Sequence, residues 1–446
     1  MSLVSVRKLR VYFKVQAGWV KAVDGVDLDI DEGETVGLVG ESGCGKTTLA
    51  YAITQLLPSN AYVLGGQVLF HGEGGSNPYR PEYWGLAESR FQRDLEDLRA
   101  KLAQTPKEDG SSQDRQELEE EIGRLENPLS ETYRTHLDAE IKTLQKQVDT
   151  LTERWQANDP SVRRPLIEAR RRLSAATQEG DLVDITRLPD GRLREYHPKL
   201  NAIRWKQIAM VFQGAMNALN PVYTVGDQII EAIQTHEDVD DGQARTRVEE
   251  LYRLVGIPPD RIDNYPHEYS GGMKQRAMIA MALALNPKLV IMDEPTTALD
   301  VITASRIMDE VLRIQKQLKM TLLIISHDVS TVAKVADRIC VMYAGQLVEE
   351  SASKNIFSRT LHPYTQGLLG AFPSVKGEKR RLEAIPGSPP SLVTPPKGCR
   401  FNPRCKYVQD VCLVQEPAYF YTPEGGHRAL CHFSKDFYEQ GGLGHT

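Results

Sequence analysis

The chain has 446 residues, 41% hydrophobic and 26% charged, with 34 glycines and 25 prolines, which excludes disorder throughout and leaves room for about two or three domains. Lys+Arg 54 against Asp+Glu 60 give a net charge of -6, so no overall basic field marks a nucleic-acid binder. No apolar run approaches the roughly 18 residues needed to cross a bilayer, and the opening MSLVSVRKLRVYFK lacks the apolar stretch of a secretory signal, so a cytosolic setting is expected.

In chain order, the first chemistry-bearing element is TVGLVGESGCGKTTLAYAI, which predicts a short buried strand, a glycine loop and a helix. Gly40, Gly45, Lys46 and Thr47 satisfy G-x-x-x-x-G-K-S/T. Glycines let backbone N–H groups wrap phosphate oxygens, and the helix N-terminus adds the positive end of its dipole. The predicted nucleotide contacts are therefore Gly40, Glu41, Ser42, Gly43, Cys44, Gly45, Lys46, Thr47 and Thr48. Lys46 should reach the β and γ phosphates of ATP, and Thr47 should offer its hydroxyl to Mg²⁺. An aromatic ring before the loop is expected to stack on adenine. Phe13 is the candidate, while Tyr12 and Trp19 lie near enough to be confused with it, and any of the three could be core.

After the strand GGQVLFHG, the span 73–180 is highly charged. Leu137, Ile141, Leu144, Val148, Leu151 and Trp155 alternate spacings of four and three, the seam of a coiled coil. Phe91, Leu95, Leu98 and Leu102 repeat the rhythm, as do Leu118, Ile122 and Leu125, and Val162, Leu166, Ala169 and Leu173. Gly110, Pro128 and Pro160 interrupt it, so packed helical hairpins are expected rather than one rod. Two readings stay open: a solvated decoration without a partner, or a docking or regulatory arm.

Farther along, KLVIMDEP predicts a buried strand delivering Asp293 and Glu294 at its C-terminal end. Asp293 can hold Mg²⁺, directly or through water, and Glu294 can act as general base on the water that attacks the γ phosphate. Between this strand and the phosphate loop lies YSGGMKQR, which resembles the signature sequence of ATP-binding-cassette (ABC) proteins through Ser270, Gly271 and Gly272. Met273 stands where that family more often has Gln, leaving the Ser-Gly-Gly intact. Gln213 in MVFQ resembles the family's glutamine loop, Asp300 in TTALD its dimer-contacting aspartate, and His327 in IISHD its switch histidine.

The resemblance implies an α/β fold, an ABC-type P-loop NTPase cassette with a parallel core sheet, an antiparallel β edge and an α-helical subdomain. It also implies that the signature of one subunit closes over ATP held by the phosphate loop of another, so that two cassettes complete two sites. Gln213 would sense Mg²⁺ and the attacking water, and His327 would contact the γ phosphate. The segments VFQGAMNALNPVYTVGDQIIEAI, LHPYTQGLLGAFPS and IPGSPPSLVTPPKGCRFNPRC resemble the oligopeptide and dipeptide permease ATPases and their nickel and oligosaccharide relatives. The resemblance implies a short connection where 73–180 stands. The implied division is 1–72 and 181–350 for the cassette, 73–180 for the insertion and 351–446 for a C-terminal extension.

That extension carries Cys399, Cys405, Cys412 and Cys431, with five, six and eighteen residues between successive members. Four thiolates suit a 4Fe-4S cluster or a tetrahedral zinc, and the absence of a C-x₂-C pair argues against an ordinary zinc ribbon. The family resemblance points to a cluster; four reduced cysteines packing a small tail are the alternative. Cys340, in RICVMY, reads as core. The expected function is an ATPase at the cytoplasmic face of the cell membrane, peripheral to it, powering uptake of peptides or a related solute. Its expected partners are two permease subunits, a second and non-identical cassette, and an extracytoplasmic solute-binding protein reached through the permease, with no nucleic acid. The alternative is a non-transport ABC ATPase with a coiled-coil arm acting on DNA or ribosomes. Against it, such coils are far longer and follow the glutamine loop, and ribosome-acting relatives normally carry two cassettes where this chain has one phosphate loop.

Overall fold

The computed structural model describes residues 2–54, 56–58, 60–70, 146, 150, 204–214, 218–297, 299–370 and 385–443. The coiled-coil seams predicted within 73–180 lie outside the described residues.

Strands β1 (Ser2–Val15) and β2 (Gly18–Asp31) form an antiparallel hairpin in register Ser5↔Asp29 and Val11↔Val23. On β1, Leu3 to Val6 are buried in succession, and Leu9 and Val11 then alternate with more exposed neighbours. Strand β3 (Thr35–Val39) is buried throughout, the mark of a central parallel strand. Strand β4 (Ala61–Phe70) returns to pair with β1, closing a three-stranded sheet of order β2-β1-β4.

The main sheet has eight strands. From β5 (Ile208–Val211), β6 (Leu289–Asp293), β7 (Thr321–Ser326), β8 (Arg338–Tyr343), β9 (Gln346–Ala352), β10 (Tyr419–Tyr421) and β11 (His427–Leu430), it takes the order β10-β11-β9-β8-β3-β7-β6-β5. The five strands from β8 to β5 run parallel, in register Val39↔Ser326, Asp293↔Ile325 and Val211↔Met292. Their C-terminal ends therefore share one edge, where open α/β sheets hold ligands. This register brings together segments separated by hundreds of residues.

Helices Val225–His236, Asp241–Leu254 and Gly271–Leu283 form the helical part. Thr224 caps the first, accepting from the Asp227 N–H, and Asp240 with Gln243 forms a capping box on the second. Ile229, Ile233, Val248 and Tyr252 are fully buried between them, and the Tyr252 and Tyr269 hydroxyls meet at 2.9 Å.

The sequence division at 350 falls inside β9, and the sheet continues past it: β11 pairs antiparallel with β9, and β10 with β11. Glu349, fully buried on β9, holds this junction. It accepts from the Leu361 N–H at 2.6 Å and the His362 N–H at 3.1 Å, and lies 2.9 Å from His427 Nε2. A buried carboxylate is tolerable when its lone pairs are filled in this way.

Candidate functional site

The loop after β3 turns with glycines at positive φ. Gly45 has φ +107, and a Cβ there would lie 1.9 Å from the Ala22 carbonyl oxygen, so no side chain fits. Gly40, at φ +153, approaches the Met342 carbonyl as closely, at 2.1 Å for an added Cβ. The loop is thus pressed between β2 and β8 before helix Lys46–Thr54 starts. Lys46 is buried, and its ammonium donates to the carbonyls of Gly40 (2.8 Å) and Glu41 (3.0 Å) and lies 3.7 Å from the Cys44 sulfur. Burial pushes the Cys44 thiol up from its ordinary range. Cys44 is buried in the loop wall.

Strand β6 delivers Asp293 and Glu294 to the same edge. Asp293 is fully buried, and among the described residues neither of its oxygens has a hydrogen-bond partner. Burial pushes its carboxyl above the usual range, with the Thr47 hydroxyl and the Lys46 charge acting the other way. An orphaned buried carboxylate beside a threonine hydroxyl fits a hard cation such as Mg²⁺.

Glu294 has φ +48, a left-handed conformation that costs a non-glycine residue about 1–3 kcal/mol where the surroundings impose it. Its backbone N–H donates to the Ile325 carbonyl at 2.9 Å. Its carboxylate gathers three side chains from three segments. The Thr297 hydroxyl donates at 2.8 Å, the Gln213 amide donates at 3.3 Å, and His327 Nδ1 lies 3.1 Å away. Burial pushes the Glu294 carboxyl up, but the hydrogen bonds of Thr297 and His327 and the charges of His327 and Lys46 outweigh it and leave it below the usual range. Phe212, next to Gln213, packs edge-on against Tyr51 at 6.2 Å, tying that segment to the phosphate-loop helix.

Sequence reasoning named Gln213, Glu294 and His327, and the fold brings them together. It missed Thr297, although a hydroxyl three residues beyond a strand-end glutamate was the available signal. Ser270, Gly271 and Asp300 are exposed instead. Ser270 caps helix Gly271–Leu283, accepting from the Met273 N–H, and Asp300 caps helix Val301–Leu318, accepting from the Thr303 N–H. Their hydrogen bonds serve their own helices, leaving outward-facing N-termini. Of the adenine candidates, the Tyr12 hydroxyl donates to Asp24 at 2.8 Å and Trp19 stands edge-on to Tyr62 at 5.4 Å. Phe13 is half-buried against the core of the three-stranded sheet.

Burial is the largest cause raising the thiols of Cys399, Cys405 and Cys431. Burial first, then Cys399, Cys405 and Cys412, push the Cys431 thiol up to about 12, and burial first, with Cys399 and Cys412, pushes Cys405 up to about 11. The Phe433 N–H donates to the Cys431 sulfur at 3.5 Å, whereas the Asn402 N–H donates to the Cys399 carbonyl at 3.0 Å. Among the described residues, no three His, Cys, Asp or Glu side chains are spaced to hold one metal ion. No described helix is long and apolar enough to cross a membrane.

The family profile described as "ABC transporter" matches residues 23–189 and 176–297, and "Oligopeptide/dipeptide transporter, C-terminal region" matches 348–412. The chain is 30% identical over 441 residues to a dipeptide transport ATP-binding protein DppD of Caldanaerobacter subterraneus, covering 98% of each. It is 34% identical over 422 residues to the oligopeptide transport ATP-binding protein OppD of Bacillus subtilis, covering 94% of this chain and 85% of that one. Against DppD of Haemophilus influenzae it is 50% identical over 227 residues, covering 50% of this chain and 68% of the relative. The DNA- or ribosome-acting alternative finds no support among these relatives.

Proposed function

The chain belongs to the ABC transporter ATP-binding proteins of the oligopeptide and dipeptide class, and from that premise we propose that its ATP hydrolysis drives uptake of peptides through partner permease subunits. The observation that carries the reading is the meeting of Thr297, Gln213 and His327 on the Glu294 carboxylate. Glu294, held ionised, takes the proton of the attacking water, while Gln213 and His327 orient that water and the γ phosphate. Thr47 and Asp293 would hold Mg²⁺, which would supply positive charge against that developing on the phosphates. Lys46 leaves the loop carbonyls to meet the β and γ phosphates.

The outward N-termini at Ser270 and Asp300 close over the nucleotide of a second, non-identical cassette. Binding energy at that shared interface biases the permease between its two access states, and hydrolysis releases it. The permease contact we assign to a groove of about 630 Å³ lined by Trp205, Leu219, Tyr223, Ala232, Met278 and Met281. Tyr223 in its wall and the neighbouring Val222 are 57% and 73% exposed, apolar surface suited to a short amphipathic helix. On this reading the chain sits at the cytoplasmic face of the membrane, beneath two permease subunits that take solute from an extracytoplasmic binding protein. Affinity purification from detergent-solubilised membranes should recover two integral membrane proteins and a second cassette, and Tyr223→Asp should lower that recovery by about tenfold. Recovery of ribosomes or DNA-bound proteins instead would sink the transport reading.

We also propose a 4Fe-4S cluster on Cys399, Cys405, Cys412 and Cys431. The support is the donor set itself, four cysteines within one small extension with the Phe433 N–H donating to the Cys431 sulfur, since four thiolates suit such a cluster. When bound, the cluster would cross-link the tail loops and supply a redox-active group. Cys405→Ser should abolish the visible absorbance of anaerobically purified protein. A colourless wild type carrying zinc or no metal would count against iron.

A further inference from the structure

The segment between Cys399 and Cys405 reaches into the nucleotide site. Arg404, whose side chain is 4% exposed, places its guanidinium in a two-pronged pair on the Glu41 carboxylate, Nη1 to Oε2 at 2.7 Å and Nη2 to Oε1 at 2.9 Å. Its remaining donors are fixed by the Pro386 carbonyl (2.8 Å), the Gly387 carbonyl (3.3 Å) and the Tyr343 hydroxyl (3.4 Å). The same region holds Glu41 a second time, through the Tyr364 hydroxyl, which accepts from the Glu41 backbone N–H at 2.9 Å. Tyr364 in turn packs on Tyr343 at 4.4 Å and Phe401 at 5.5 Å. The third hold on Glu41 is its carbonyl, which accepts from Lys46. A contiguous chain of contacts thus runs from the cysteine segment through Arg404 and Glu41 to the phosphate-binding lysine.

We propose that Arg404 is a positioning residue for ATP binding: acting through Glu41, it sets the shape of the phosphate loop, so the loop is preorganised only while the C-terminal extension is docked. A fork-shaped, charge-assisted pair fixes orientation as well as distance, which a single hydrogen bond does not. A loop so fixed loses less conformational freedom when phosphate arrives. By linkage, nucleotide binding strengthens the docking of the extension by the same factor.

The inference rests on the ATP site described above. Its test uses the full chain, with a fluorescent ATP analogue for Kd, steady-state ATPase for kcat and KM, and thermal unfolding. Glu41→Gln and Arg404→Met should each raise Kd and KM by about tenfold, with a smaller fall in kcat, and Arg404→Lys should recover part of the loss. The double variant Glu41→Gln/Arg404→Met leaves no unpaired charge, so it should regain thermal stability while Kd and KM stay raised. Return of Kd and KM to wild-type values in the double variant would show that the pair serves the fold alone and would overturn the proposal. Unchanged Kd in Glu41→Gln would overturn it as well. Should Arg404→Met fail to fold, Glu41→Gln and the double variant decide. Lys46→Ala separates the two readings: a wild type that binds no better than Lys46→Ala overturns the site itself and this inference with it, whereas tight wild-type binding matched by Glu41→Gln overturns the inference alone.

Discussion

Glu294→Gln should bind ATP and stay closed on its companion cassette while turnover falls by about 100- to 10,000-fold, the usual worth of a general base. The amide keeps the side chain's size and can still accept from Thr297, which donates to the carboxylate at 2.8 Å, so the cage survives and basicity is lost. The wild-type carboxyl sits below its usual range, so it is ionised at neutral pH and ready to accept a proton. Phosphate release measures turnover, and size-exclusion chromatography with ATP measures the closed assembly. Normal turnover would remove Glu294 from the chemistry. A variant that no longer binds ATP would show that its charge serves binding instead.

Asp293→Asn should stabilise the nucleotide-free protein and nearly abolish its ATPase. Asp293 is fully buried with both oxygens unpartnered among the described residues, and burial raises its carboxyl above the ordinary range. For a group shifted in that direction, the stability it contributes is fully present below the unfolded value and is lost as pH rises through the raised folded one. At neutral pH the ionised carboxylate is therefore a burden on the empty site. Substitution should raise Tm by about 2–4 °C at pH 7–8, and the gain should shrink to nothing below about pH 4. The further rise in Tm that Mg²⁺ and ATP give the wild type should vanish in the variant, and turnover should fall by at least about 100-fold. A variant less stable than wild type at pH 7, or one still stabilised by Mg²⁺ with ATP, would refute the assignment. The opposed signs identify a residue kept for function at the expense of stability.

The contrast between these two carboxylates shows how far local sequence reaches. Strand β6 ends at Asp293, and the apolar run LVIM with the acid pair after it was legible because a buried parallel strand needs such a run on both faces. The phosphate loop was legible for a related reason, since Gly40 and Gly45 sit where backbone contacts at 2.1 and 1.9 Å from an added Cβ leave no room for a side chain. Nothing local distinguishes the orphaned acid from the caged one. Asp293 ends β6 fully buried, whereas Glu294, one residue on, turns into αL and meets Gln213 and His327.

By itself, then, the sequence determined the local devices: the glycine loop, the strand ends and the order of the motifs along the chain. Tertiary structure decided which of them meet. The parallel register set Val39, Val211, Asp293 and Ser326 on one edge, and the docking of β11 on β9 carried Arg404 to Glu41 across 363 positions of chain. Turn and strand preferences act over a few neighbouring residues, and their patterns are written in neighbouring letters. A two-pronged ion pair between distant segments depends on how whole sheets and helices pack, and no local pattern encodes that.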